Sequence, residues 1–100
     1  MIEHVVMWQV KDSIEGMDKE QIMRQMKERL LDLPEYIPEI KSFSVAFNNN
    51  INGKNMDVAL LSSFDDLEAL NRYVVHPEHK KVAGFISQVV TARAAIDYTR

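Results

Sequence analysis

Ile2-Glu3-His4-Val5-Val6-Met7-Trp8-Gln9-Val10-Lys11 is the stretch on which the architecture turns. Its β-branched, aromatic and alternating residues predict a strand, whose side chains point to opposite faces in turn. Ile2, His4, Val6, Trp8 and Val10 then share one face, and Glu3, Val5, Met7, Gln9 and Lys11 the other. Apolar side chains occur on both. A sheet with one dry and one wet face would alternate cleanly, so this strand predicts a sheet covered on both sides.

Downstream, Asp18 followed three residues later by Gln21 has the form of a capping box, with Met17 and Ile22 at the staple positions. Ile22, Met26, Leu30 and Leu33, with Met23 beside them, predict one apolar helical stripe. Pro34 and Pro38 bar the helix beyond Leu33. A second strand is predicted from about Ile40 to Asn48, where Phe43, Val45 and Phe47 alternate with Ser42, Ser44 and Ala46. Asn48 to Gly53 then reads as a hairpin loop, because its residues tolerate left-handed backbone. A third strand, Met56 to Phe64, returns antiparallel, with Val58, Leu60 and Phe64 on one face and Ala59 and Leu61 on the other.

Asp65 or Asp66 can cap another helix, with Leu67, Leu70 and Val74 at helical spacing. Pro77 biases His76 away from helical geometry yet suits the first position of a new helix, so the helical region splits at that pair. Val82, Phe85, Ile86 and Val89 form the stripe of its second half, and Thr91 to Tyr98 a closing strand. The order β-α-β-β-α-β, with the second helix split, is a ferredoxin-like α+β arrangement over residues 1–100, read as one domain: a four-stranded antiparallel sheet with helices on one face. Val5, Met7, Ala59 and Leu61 leave its other face apolar. A second copy is the simplest cover, since two-fold homodimers dominate soluble oligomers, and a homodimer is expected; a monomer with scattered surface apolars is the alternative.

Composition narrows the function. With 46% hydrophobic and 27% charged residues the chain is an ordinary globule rather than a disordered or collagen-like one. A net charge of −3, with Lys80-Lys81 the only adjacent basic pair, argues against nucleic-acid binding. The absence of cysteine removes disulfides, thiolate nucleophiles and cysteine-ligated metals. No apolar run approaches the roughly 20 residues of a membrane helix, so a soluble, cytoplasmic protein with no membrane partner is expected. Gly16, Gly53 and Gly84 are isolated, which excludes a glycine-rich phosphate loop, and no cofactor is expected.

Three side chains with polar tips fall on predicted inward faces: His4, Tyr73 and His79. His4 shares its strand face with Val6 and Trp8, and His79 precedes Val82, Ala83 and Ile86 by three, four and seven residues, on the apolar side of its helix. If the even-numbered face of the first strand lies beneath the helices, both histidines look into one space. Imidazole can take a proton from an acidic carbon and return it, and a phenol can polarise a carbonyl. Trp8, Phe64 and Phe85 are the expected walls for a bound small molecule. The plainer alternative is a packed histidine bonded to a backbone carbonyl and a core-edge tyrosine. His76-Pro77-Glu78-His79 lacks the i, i+4 spacing of a zinc-binding helix, and no metal is expected there.

Met1-Ile2-Glu3-His4-Val5-Val6, Phe64-Asp65-Asp66-Leu67-Glu68-Ala69-Leu70, Tyr73-Val74-Val75-His76-Pro77-Glu78-His79 and Asp97-Tyr98 together resemble the stress-responsive A/B barrel, or Dabb, domain family across essentially the whole chain. The His-Pro-x-His segment is the most specific piece. The resemblance implies a dimeric α+β barrel, with two sheets face to face and helices outside. The family includes plant stress-induced proteins, bacterial proteins of unknown role and a polyketide cyclase branch similar to olivetolic acid cyclase. In that branch a tyrosine and the second histidine of His-Pro-x-His act in an aldol cyclisation; they match Tyr73 and His79, and the first-strand histidine matches His4. A further histidine of that branch falls where this chain has Asp57, which is expected to alter the charge of the pocket. The chain therefore reads as a homodimer that binds a small apolar carbonyl compound, with cofactor-free cyclase or lyase chemistry in view. Its alternatives are a noncatalytic stress-associated dimer and a cofactor-independent monooxygenase.

Overall fold

The computed structural model describes residues 1–50 and 53–100; of the expected hairpin loop, Ile51 and Asn52 lie outside the described residues. Strand β1 (Ile2–Val10) is central, and its alternation is realised as read: His4, Val6, Trp8 and Val10 are buried beneath the helices. Short strands β2 (Ser13–Ile14) and β3 (Met17–Asp18) follow as a tight hairpin that the sequence reading did not include. Its two central residues, Glu15 and Gly16, both take positive φ, the conformation a two-residue hairpin turn demands. Glu is an unusual residue there, and the usual Asn-Gly or Asp-Gly signal is missing.

Helix α1 (Lys19–Asp32) starts where its capping box places it: the Asp18 carboxylate accepts from the Gln21 N–H, and the Gln21 side chain accepts from the Asp18 N–H, both at 2.9 Å. Ile22, Met26 and Leu30 are buried along its stripe, each such side chain contributing about 1.5–3 kcal/mol when removed from water. The chain then tightens into a 3-10 turn, Leu33–Glu35, that keeps Leu33 in the core.

Strand β4 (Ser42–Phe47) starts two residues later and ends one residue earlier than expected, and β5 (Val58–Phe64) starts two residues later. The Asn48 N–H bonds the Asp57 carbonyl at 2.9 Å, which closes the pair. Helix α2 (Leu67–Val75) is capped by Asp66, whose carboxylate accepts from the Ala69 N–H at 2.8 Å. Its buried stripe is Ala69, Leu70 and Tyr73; Leu67 and Val74, assigned to that stripe from spacing, are exposed. Two stripes share Leu70, and the one carrying the large Tyr73 ring removes more surface from water. Helix α3 (Pro77–Val89) begins after the break at His76, and β6 (Val90–Thr99) closes the fold. The sheet order is β4-β5-β1-β6, antiparallel throughout. No helix among the described residues is long and apolar enough to cross a membrane.

Candidate functional site between sheet and helices

Beneath α3, at the side of the sheet formed by β1 and β6, lies a cavity of about 470 Å³. It opens there because β6 is an edge strand whose helix side is largely uncovered. His4, Trp8, Tyr73 and His79 all line it.

The split in the helical region is what brings Tyr73 and His79 together. Six residues along a continuous helix are about 120° apart in direction, at 3.6 residues per turn. At His76 the backbone becomes extended (φ −64°, ψ 136°), and α3 restarts on a new axis. The His76 ring stabilises that restart: its Nδ1 accepts from the Glu78 N–H at 3.1 Å and caps the helix. The outcome is a Tyr73–His79 ring separation of 4.4 Å, with the His4 ring 6.1 Å from Tyr73 on the other side.

Hydrogen bonds define what each ring can do. The Val74 carbonyl, 3.0 Å from His79 Nδ1, can only accept, so Nδ1 carries the hydrogen and Nε2 keeps its lone pair. Burial lowers the His79 pKa below the ordinary imidazole value of 6.5; the Val74 bond opposes this, and the positive potentials of His4, Arg93 and His76 add to it. His79 is thus a neutral base at pH 7. Tyr73 is fully buried, and burial raises the phenol well above its usual range, so it remains a donor. Its hydroxyl has no hydrogen-bond partner among the described residues. An unpaired buried hydroxyl costs about 1–3 kcal/mol, which a ligand acceptor would recover. His4 donates from Nδ1 to the Asp97 carboxylate, its register partner on β6. That bond fixes the tautomer and leaves Nε2 as an acceptor.

Of the expected walls, Trp8 is in place and Phe64 and Phe85 are not. Phe64, the last residue of β5, packs its ring 5.0 Å from the Tyr73 ring and does not line the cavity. Phe85 faces α1, where its ring carries the Arg29 guanidinium at 3.9 Å. Asp57 does not charge this cavity either. Its carboxylate accepts from the Val10 N–H at 2.8 Å and from Lys19 at 3.2 Å, tying the far end of β1 to α1. His76 and His79 are held by different backbone groups, and no cluster of three potential metal ligands occurs among the described residues. Asp97 and Arg93 were missing from the candidate residues. The pairing of β6 with β1 reveals both, since Asp97 lies opposite His4 and Arg93 opposite Trp8.

The family model of the stress responsive A/B barrel domain matches residues 2–100. The chain belongs to that family. A curated relative of this Dabb chain, an uncharacterized protein of Streptomyces coelicolor, is 30% identical over 80 residues, which is 80% of each chain. Among solved structures, a dimeric ferredoxin-like protein of unknown function from Bacteroides fragilis is 31% identical, with a TM-score of 0.85 over 97% of this chain and 93% of its own. The hydroxynitrile lyase of Passiflora edulis has a TM-score of 0.82 over 97% of this chain and 90% of its own. At 14% identity that likeness to the Dabb chain is one of fold.

Proposed function

We propose that this Dabb protein is a two-fold homodimer whose helix-side cavity binds a small, mostly apolar carbonyl compound and moves a proton on it without a cofactor. The observation that carries this reading is the buried Tyr73 hydroxyl, without a protein partner and beside a histidine whose Nε2 is free. His79 Nε2 takes a proton from the carbon next to the carbonyl. The electrons of that C–H bond move into the carbonyl, whose oxygen becomes negative, and Tyr73 donates a hydrogen bond to it. Return of that proton to another carbon of the enolate completes an isomerisation; if the enolate carbon instead bonds a second carbonyl carbon of the same molecule, whose oxygen takes the proton, the result is a cyclisation, and if a β C–O bond breaks and the departing oxygen takes the proton, a cleavage. His4, fixed by Asp97, orients the bound molecule. Trp8, Val6 and Ile86 supply the apolar surface around it.

Dimerisation covers the second face of the sheet. Met7, Leu61, Ile96 and Tyr98 are exposed apolar side chains of that face, and the similar Bacteroides fragilis protein is described as dimeric. The enzymatic reading is tested by hydrogen–deuterium exchange at the α-carbon of a panel of alkyl and aryl ketones, followed by NMR. The wild type should accelerate exchange over buffer for some of them, and His79→Ala and Tyr73→Phe should lose that acceleration. Exchange at the buffer rate with every ketone, in a wild type from which native mass spectrometry recovers no small molecule, would leave the noncatalytic dimer instead.

A further inference from the structure

We propose that the cavity selects carbonyl compounds that also carry a carboxylate, and that Arg93 receives it. This rests on the ligand-binding reading above and names the class of ligand. Arg93 is the only Asp, Glu, Lys or Arg among the cavity-lining residues. It stands opposite Trp8 in the β1–β6 register, whereas Asp97 stands opposite His4. The two ends of the site are therefore four strand residues apart, about 13 Å along β6.

Arg24 and Arg93 are the two arginines without a side-chain partner among the described residues, and of these Arg93 lines the cavity. Arg72 pairs with Glu39, Arg100 with Glu3, and Arg29 lies on the Phe85 ring. Arg93 makes no ion pair or hydrogen bond with a described residue, and the nearest acid on its own face of β6, Asp97, is engaged by His4. A guanidinium presents a planar fork of donors that fits a carboxylate with two parallel hydrogen bonds. Most of the remaining wall is apolar, with Trp8, Val82 and Ile86 among its residues. A complementary ligand thus has its carboxylate at Arg93, a hydrocarbon middle, and its carbonyl at Tyr73. This layout keeps the fixed negative charge away from the oxygen that becomes negative at Tyr73. It also offsets the positive potential that Arg93 exerts on His79, leaving the base stronger when the acid is bound.

The test uses oxo acids from 5-oxohexanoate to 9-oxodecanoate and their methyl esters, which differ in charge and hardly in shape. Binding is read by the emission of Trp8, the only tryptophan of the chain and a wall of the cavity. The acid should bind about five- to tenfold more tightly than its ester, and the gap should narrow with added salt. Arg93→Gln should bring acid and ester to within about twofold, and Arg93→Glu should reverse the preference. Equal binding of acid and ester to the wild type, or a preference that survives Arg93→Gln, overturns the inference and leaves Arg93 as an edge-strand charge, with the cavity reading intact. If neither series changes the Trp8 emission, the cavity reading itself falls and this inference with it.

Discussion

The two faces of this one sheet are made by the same strands and meet different fates. On the helix side Val6 and its register partner Leu60 are each 2% exposed; one residue along, Met7 and Leu61 on the other face are 37% and 45% exposed. Both faces are apolar in composition. Their polar residues differ in kind: His4 and Ser62 are buried on the covered face, each with a hydrogen bond, and Tyr73 and His79 descend onto it from the helices, whereas the buried polar residue of the other face, Ser63, is a hydroxyl bonded to Ser42 at one end of the sheet. A covered face already has its apolar contacts, so a polar group there persists only where it is satisfied or useful. An uncovered apolar face signals a missing neighbour instead. On the proposed function, chemistry and assembly are divided between the two sides of a single layer.

Substitutions on each side sharpen that division. The largest effect is expected from His79→Ala, which should slow α-carbon exchange by about 10²–10⁴-fold, the usual worth of a general base; exchange at the wild-type rate would remove His79 from the chemistry. Next is Leu61→Glu on the open face. Burying an unpaired carboxylate in both copies costs about 4 kcal/mol in all, so dimer dissociation should rise about 10³-fold in sedimentation experiments while helical circular dichroism is retained. A dimer that persists unweakened would show that this face is not the interface.

Tyr73→Phe should affect the two properties in opposite directions. Loss of an unpaired buried hydroxyl should leave the empty protein as stable or up to about 1 kcal/mol more stable in urea denaturation, while exchange activity falls. Marked destabilisation would mean that the hydroxyl is satisfied in the folded protein. The smallest effect concerns pH. The folded chain resists protonation of His79, whereas the unfolded chain takes up that proton near pH 6.5. Its contribution is therefore flat above that pH and lowers stability as pH falls through and below it. His79→Gln should lose less stability than the wild type between pH 7 and pH 5; equal losses would mean that burial of the ring has no energetic weight.

The fold was legible because its signals are local and agree with one another. The Asp18/Gln21 capping box, the two-sided β1 and the His76-Pro77 break each carry their meaning within a few residues. The β2–β3 hairpin was hidden because its turn uses Glu15-Gly16 rather than a residue pair that favours positive φ at both positions. In α2 the choice between two stripes depends on what each meets across the fold, which spacing alone does not contain. Within the candidate site, His4, Trp8 and His79 could be found because an apolar strand face or helical stripe carries its polar members inward with it, whereas Tyr73 lies off the Leu67/Leu70/Val74 spacing and is turned inward by its own packing. Phe64 and Phe85 failed as walls for the converse reason: an inward aromatic residue must touch something, but the sequence does not say whether that is a cavity or another ring. Asp97 and Arg93 required the register of β6, a long-range property set by pairing with β1.

The helix break at His76 divides the chain into places where length matters and places where it does not. One residue inserted early in α3 would turn His79 by about 100° away from Tyr73, while the same insertion in the loop between β4 and β5 would leave the ring pair alone. Homologous chains that keep the proton-transfer chemistry should therefore vary freely in that loop and hold the interval from Tyr73 to His79 constant. A chain that gains or loses a residue within that interval should keep the fold and lose the proposed chemistry.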